Sequence, residues 1–330
     1  MKFKLTPMIK VSLAILLLAF SALMLTREGG SSWRTKYAGG KAFPGFLADS
    51  VAEIQIDAGK EHVTLERKGP GSWTVKERSG HPADASRIAK TLSAMAAMKS
   101  SRQLDELSPN ELKEFGLDPE SPSGPKLRLY SAAGARVAEL TLGRGHFNGG
   151  VAPSSPRDMP DGRYCAAAGS HGQGVPLLSS SLFEWLEPKP GLWLEPPSMD
   201  MTKALSVSLS ASKLPSWSVS RKSPNEPFAF DAPRAGSPSM KMLGPLLAFL
   251  SKPRMHDLAP DDLSELSLAE TVVVSVALAG GAAADFTFGI GEHRVILKIS
   301  VAGKPGKWTY DVAPDVVKLL LQPPQLEAAK

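Results

Sequence analysis

Apolar residues follow three patterns along this chain, and each predicts a different kind of element. The first is an uncharged run, Val11 to Thr26 (VSLAILLLAFSALMLT), preceded by Lys2, Lys4 and Lys10 and followed by Arg27 and Glu28. As a helix, Met8 to Thr26 would span roughly 28 Å at about 1.5 Å per residue, near the ~30 Å of a hydrocarbon core. Lys10 and Arg27 would snorkel to the two interfaces. Residues 1–26 are therefore expected to form a transmembrane signal anchor. Lysines on the N-terminal side alone put that end in the cytoplasm and the rest of the chain outside it. A cleaved signal peptide is the competing reading. Ala19-Phe20-Ser21 offers small-x-small spacing, but the apolar run continues past it to Leu25. Residues 27–50, with Gly29-Gly30-Ser31-Ser32 and Gly39-Gly40, read as a flexible tether.

The second pattern is alternation. Val51-Ala-Glu-Ile54-Gln-Ile56, His62-Val63-Thr-Leu65-Glu-Arg67 and Trp73-Thr-Val75 alternate, with Gly69-Pro70-Gly71 as a turn between the last two. They predict an antiparallel meander with one wet face. The third pattern is helical spacing: Ile88, Leu92, Met95 and Met98 predict an amphipathic helix within Pro82 to Lys99, covering the dry face. Ser108-Pro109-Asn110-Glu111 combines a capping box with proline at the first helical position and predicts a short helix ending near Phe115-Gly116. Lys126 to Tyr130 and Val137 to Leu142 read as a hairpin turning through Gly134. Arg163 to Ala166 reads as a strand inside a long Gly/Ser/Pro-rich loop, 144–174, and Ser181 to Leu186 as a short closing helix.

Three phrases then return in order. Ser72-Trp73-Thr74-Val75 returns as Ser216-Trp217-Ser218-Val219. Leu107 to Leu117, containing Leu112, returns as Leu258 to Leu268, containing Leu263. Ala138-Glu-Leu-Thr-Leu-Gly143-Arg-Gly145 returns as Ala284-Asp-Phe-Thr-Phe-Gly289-Ile-Gly291. Three matches in order at nearly constant spacing predict a duplicated unit. The second copy is expected to use strands at 205–209, 217–219, 271–278, 285–288 and 294–301 and a helix at 240–250, with Trp308-Thr-Tyr310-Asp leading into a last helix at 315–321. Its first meander is interrupted by Pro215, Pro224 and Pro227. The fold class is α+β, an N-terminal transmembrane helix followed by two tandem repeats of antiparallel sheet covered by helices. The expected division is anchor 1–26, tether 27–50, first repeat 51–200, second repeat 201–322 and tail 323–330. Leu112 and Leu263 are expected to be buried.

Composition narrows the chemistry. The pI is about 9.2 and the net charge +5, yet three of those charges are the lysines before the apolar run. No dense cationic cluster follows, which argues against a nucleic-acid partner. Cys165 is the single cysteine, so an intramolecular disulfide and a Cys-based zinc site are both excluded. Beside three alanines it reads as a small buried apolar residue, with a catalytic thiol as the sharper alternative. The six histidines (62, 81, 146, 171, 256 and 293) show no His-x-x-x-His spacing, so no metal and no cofactor are expected. Gly143-Arg-Gly145-His-Phe-Asn-Gly149 has the look of a phosphate loop, but Gly150, Pro153 and Pro156 follow where a helix would be needed. Ser210-Ala-Ser-Lys213 matches Ser-x-x-Lys, although that chemistry needs Ser at a helix start. The acidic pairs at 105–106 and 261–262 suit the helix dipole. Trp73 and Trp217 read as core anchors, with a sugar-stacking platform as the alternative. No catalytic, cofactor-binding or metal residue is therefore assigned.

The order of features, from Phe43-Pro44-Gly45-Phe46 and Val51 to Ile56 through Gly71-Ser-Trp73-Thr-Val75, His81-Pro82-Ala83-Asp84, Phe115-Gly116-Leu117-Asp118-Pro119 and Leu140-Thr-Leu142-Gly143, resembles the bacterial domain-of-unknown-function family 4340. The likeness covers about residues 40 to 188 and is looser in the second unit, where Ser267-Leu268-Ala269-Glu270 replaces Gly116-Leu117-Asp118-Pro119. The resemblance implies a bacterial inner-membrane protein with its bulk in the periplasm. It also implies association with an export-type ABC transporter and its gliding-motility-like auxiliary subunit. On this basis the chain is expected to be a non-enzymatic scaffold or accessory subunit with a membrane-protein partner. The alternatives are a module binding cell-wall glycan and a hydrolase using Ser210/Lys213 or Cys165.

Overall fold

The computed structural model describes residues 41–43, 45–99, 102–104, 108–118, 120, 122–146, 162–168, 175–179, 186–213, 216–231, 240–260 and 268–321. The anchor at 1–26, most of the tether, Leu263, residues 181–185 and the tail at 323–330 lie outside them. Among the described residues no helix is long and apolar enough to cross a membrane.

In chain order the strands are β1 (Val51–Ala58), β2 (Glu61–Gly69), β3 (Ser72–Val75), β4 (His81–Pro82), β5 (Arg102–Leu104), β6 (Lys126–Ser131), β7 (Arg136–His146), β8 (Gly162–Ala168) and β9 (Val175–Ser179). The second half adds β10 (Ala204–Ala211), β11 (Trp217–Ser220), β12 (Ala229–Phe230), β13 (Met255–Leu258), β14 (Leu268–Leu278), β15 (Ala283–Gly291), β16 (Val295–Val301) and β17 (Lys304–Val312). Among the described residues the α-helices are α1 (Ala85–Ala97), α2 (Pro109–Glu114), α3 (Met240–Ser251) and α4 (Val316–Leu321). The fold is α+β and mostly β, as the alternation of the sequence predicts. β5 and β9 were not legible as strands, and the loop expected at 144–174 gives up more of its length to β7 and β8 than Arg163 to Ala166.

The chain divides into two compact units. The larger comprises Gly45–Ala96, Pro125–Glu139 and Leu182–Lys330. It holds strands in the order β4-β3-β2-β1-β6-β7 and the whole second sheet, β12-β11-β10-β14-β15-β16-β17-β13. Val51, Ile54, Ile56, Val63 and Leu65 reach 0% exposure, and Ile88, Leu92 and Met95 of α1 are buried. In the second sheet Phe286, Phe288, Val274 and Leu297 form the core with Leu243, Leu246 and Leu250 of α3. Each such side chain contributes roughly 1.5–3 kcal/mol by leaving water. The smaller unit comprises Met1–Pro44, Ala97–Gly124 and Leu140–Ser181. It runs β7-β8-β9-β5, and its core forms around Leu117 with Leu112, Phe115, Tyr164 and Ala166. α2 starts as predicted: Ser108 Oγ accepts from Glu111 N–H at 3.3 Å, and Glu111 Oε2 accepts from Ser108 N–H at 2.8 Å. Gly116, at φ +69°, ends it in the left-handed region that suits glycine. Leu112 is half-buried rather than buried; Leu117, at 3% exposure, is the anchor instead.

The two sheets repeat one plan. β1-β6-β7-β8-β9-β5 and β10-β14-β15-β16-β17-β13 follow the same order. The first strand of each carries the same bulge against its neighbour, between Val51 and Glu53 and between Ala204 and Ser206. The hairpin turns match bond for bond. Ser131 N–H donates to Ala135 O at 2.8 Å and Leu278 N–H to Ala282 O at 2.7 Å, with Gly134 and Gly281 in the left-handed region. Gly143 packs on Leu117 and Gly289 on Leu268, so two of the repeated phrases keep their mutual contact in both copies.

The Ser-Trp-x-Val match does not hold. β11 pairs directly with β10, whereas β3 is separated from β1 by β2. Register makes Leu65 opposite Ile54 the counterpart of Val219 opposite Val207. Ser216-Trp217-Ser218-Val219 thus corresponds to His62-Val63-Thr64-Leu65, and Trp73 corresponds to Phe228. Any short strand with a tryptophan at an inward position gives that phrase, which is why it misaligned.

Candidate functional site

Of the side chains singled out for chemistry, Ser210, Lys213, Cys165, Trp73 and Trp217 are among the described residues. Ser210 lies within β10, opposite Val273, and not at a helix start. Lys213 donates through Nζ to Ala269 O at 2.6 Å and stands 3.8 Å from Glu270, whose Oε1 also takes the Lys213 N–H and the Ser212 hydroxyl. Cys165 is 0% exposed in β8, with Sγ 3.5 Å from Arg163 O. Trp73 and Trp217 are 5% and 9% exposed, so neither offers a face for a sugar. Gly143 and Gly145 fall inside β7, and Gly289 and Gly291 inside β15; the glycines there admit close packing rather than a phosphate. His171 and the acidic pairs at 105–106 and 261–262 lie outside the described residues. Among those residues no group of three His, Cys, Asp or Glu is placed to hold a metal ion.

What the larger unit does gather is a cleft of about 550 Å³ whose lining mixes charged side chains with Pro188, Pro190 and Leu192. The β1–β2 turn supplies Lys60, the start of β2 supplies Glu61 and His62, and the 3-10 turn after β3 supplies Glu77 and Arg78. Residues 186–200, which precede β10 and form the linker between the two sheets, supply Lys189, and β13 supplies His256 and Asp257. Arg78 grips Asp257 with two parallel bonds, Nε to Oδ1 and Nη2 to Oδ2, both 2.5 Å. Hydrogen bonding to Asp257 raises the Arg78 pKa, against the opposing pull of burial. Glu77 accepts from Thr64 N–H at 2.9 Å and faces His62 Nε2 at 3.6 Å. Behind them Asp311 is held above the usual carboxylate range by burial and by the charge of Asp257, which outweigh Arg294 and His256. Cations and carboxylates in this cleft answer one another, Arg78 with Asp257 and His62 with Glu77.

The linker is stitched in on both sides. Trp193 is 0% exposed, and its indole N–H donates to Glu187 O at 2.9 Å. Asp84 N–H donates to Trp193 O, and Glu195 N–H to Pro82 O. The Arg87 guanidinium lies 4.6 Å over the Trp193 ring and donates to Leu192 O at 2.7 Å. On the other side Gly191 meets His256 O so closely that no Cβ would fit. Next to this seam His81, 2% exposed, stands 5.0 Å from the Trp308 ring and 5.9 Å from Tyr310. Burial lowers its pKa although Pro82 O, 2.7 Å from Nδ1, favours the proton.

Residues 73–150 match the family described as a domain of unknown function, DUF4340. This segment belongs to the DUF4340 family. It runs from β3 through α1 and α2 to the end of β7, and so includes the capped helix, the Gly116 stop and the Gly143 packing site. No curated protein and no solved structure matches the chain.

Sequence reading missed the seam and one further device, an arginine clamp present in both copies. Arg67 bonds Asp49 O and Ala48 O and lies 4.8 Å over Trp73. Its counterpart Arg221 bonds Ala204 O and Thr202 O and lies 4.4 Å over Phe228. Each ties the 3-10 turn before the first strand to the sheet. The signal was present in the chain: Leu65-Glu66-Arg67-Lys68 returns as Val219-Ser220-Arg221-Lys222.

Proposed function

We propose that this DUF4340 protein is a non-enzymatic, membrane-anchored periplasmic scaffold or accessory subunit of an envelope assembly, with an ABC-transporter-associated membrane protein as its partner. One observation carries the reading: the linker between the repeats is bonded to β4 on one side and packed on β13 on the other, while among the described residues Ser210 and Cys165 lie within strands. Such a linker suits a body that presents surface rather than one that opens and closes. An anchor confines that surface near the membrane, so weak contacts suffice by raised effective concentration.

The test is crosslinking and capture from native membranes. The full chain is compared with a variant whose Met8 to Leu25 span is replaced by an unrelated apolar helix. Capture of ABC-transporter-associated membrane proteins by both is the expected result. Capture that disappears with the swapped span would place recognition in the anchor and overturn the reading. Deleting residues 201–322 is a poorer test, since it removes Asp257 from Arg78 and the packing of His81 on Trp308 and Tyr310.

A further inference from the structure

The two ends of the second sheet are unlike in charge. At one end the charged side chains answer one another. Lys213 stands 3.8 Å from Glu270 and Arg294 3.6 Å from Asp311, and Arg254 bonds Asp315 at 2.7 Å. At the other end the β16–β17 hairpin carries Lys304 and Lys307 and no acid from Ile299 to Trp308. Neither lysine has a carboxylate partner among the described residues; the Lys307 ammonium lies 4.1 Å from the centre of the Trp308 ring. The neighbouring β14–β15 turn, residues 279–282, bears no charge. On the lead-in to β10, Asp200 pairs with Lys203 at 3.4 Å. The other acids at this end, Glu195 and Glu226, number two against the four cations Arg221, Lys222, Lys304 and Lys307, an excess of two positive charges. The same hairpin is where the apolar cover runs out. Along β16 the inward positions pass from Val295 and Leu297, at 1% and 0% exposure, to Ile299, half-buried, and Val301, 45% exposed. An apolar groove of about 200 Å³ follows, lined among others by Met199, Leu250, Phe286, Val301 and Trp308. It is smaller than a small-molecule site, and no charged side chain lines it.

We propose that this hairpin is a second membrane contact. Its exposed tip lies on an anionic bilayer surface, with Val301 and the edge of Trp308 against the upper acyl segments and Lys304 and Lys307 at the phosphates. Charge and shape both favour a lipid surface. A half-buried tryptophan flanked by lysines suits the interface, where the ring sits at headgroup level and the ammonium groups reach the phosphates. The tip Ala302-Gly303 and the neighbouring Gly280-Gly281 bear no charge, so they approach the bilayer without stripping water from one. Ala302 N–H is already bonded to Ala283 O at 2.9 Å, so the tip enters with that donor satisfied. The opposite end of the sheet, with its charges paired, lacks this combination. The proposal rests on the scaffold reading only in placing the chain at a membrane.

The probe is an environment-sensitive nitrobenzoxadiazole dye on Ala302→Cys of the full chain, placed in nanodiscs of phosphatidylcholine with or without phosphatidylglycerol. Cys165 is 0% exposed and stays out of the dye's reach. The expected result is a blue-shifted emission in the presence of phosphatidylglycerol, quenched by brominated acyl chains and reversed by salt. The same dye on Ala282→Cys of the neighbouring turn should follow it. Lys304→Gln, which leaves Lys307 over Trp308, should weaken the contact about fivefold, the equivalent of about 1 kcal/mol for one lysine. Val301→Asp should abolish it. An emission equal in the two lipids, or unchanged when both lysines become glutamine, overturns the proposal. So does a shift that follows the number of chains per disc rather than the lipid, which belongs to a second copy of the chain. Flotation separates this proposal from the anchor. A chain that floats with neutral vesicles but shows no phosphatidylglycerol-dependent shift keeps the anchor and loses the hairpin contact. A chain that floats only with phosphatidylglycerol vesicles, with the shift present, loses the anchor and keeps the contact.

Discussion

Gly143 and Gly289 occupy the same place in the two repeats but face different neighbours. A Cβ on Gly143 would run into the Phe115 carbonyl oxygen and come within 2.9 Å of Leu117 Cγ. Phe115 O already accepts from Arg144 N–H at 2.8 Å, so backbone must move. A Cβ on Gly289 would meet Leu268 Cδ1 at 2.7 Å, the tip of a side chain that is 39% exposed and free to turn. Gly143→Ala should therefore cost about 1–3 kcal/mol or more and Gly289→Ala well under that, read by chemical denaturation. Titration gives a second residue-level outcome. Burial pushes the Glu139 carboxyl up, but its bond to Lys126 at 2.9 Å and the charges of Lys126, Arg136 and Arg128 hold it below the usual range. A depressed carboxylate contributes stability that is present above its unfolded pKa and is lost as pH falls through the folded one. Thermal melts should thus lose stability as pH drops below about 4, and Glu139→Gln should flatten that slope. His81 has the opposite charge and the same sign: its lowered pKa means the unfolded chain binds the proton first, so stability falls as pH drops below about 6.5. His81→Phe should remove that part of the acid sensitivity.

Elements were legible wherever a local rule decided them. α2 follows from its cap, and Ser108→Ala should cost about 1 kcal/mol, measured as loss of stability in the full chain. α1 follows from Ile88, Leu92, Met95 and Met98, all buried. β1 and β10 follow from alternation and show nearly the same burial, with Val51, Ile54 and Ile56 answered by Ala204, Val207 and Leu209. β5 and β9 were not legible, because three- and five-residue strands carry too few positions to show a period. Register was not legible either. Which of two tryptophan strands matches which depends on neighbours across the sheet, and a strand's own pattern does not name its partner.

For the molecule as a whole, the linker between the repeats is the decisive segment. Its sequence carries prolines at 188, 190, 196 and 197 and no period, and only the fold turns Trp193 into a buried anchor. Trp193→Ala should cost about 3–5 kcal/mol, with the amides of Asp84 and Glu195 losing hydrogen-exchange protection together. A milder coupling, near the exposed-pair value of about 1 kcal/mol or somewhat above it, is expected from a double-mutant cycle on Arg78 and Asp257.

The sequence by itself determined the α+β class, the capped helix, the hairpin through Gly134, the family of residues 73–150 and most of the duplication. Each of these rests on neighbours within a few residues or on phrases that recur. Tertiary structure decided that Leu117 rather than Leu112 is the anchor, that Trp73 answers Phe228, and that Arg78 finds Asp257. Those depend on residues brought together across long stretches of chain, where no period or spacing records which side chain will be opposite.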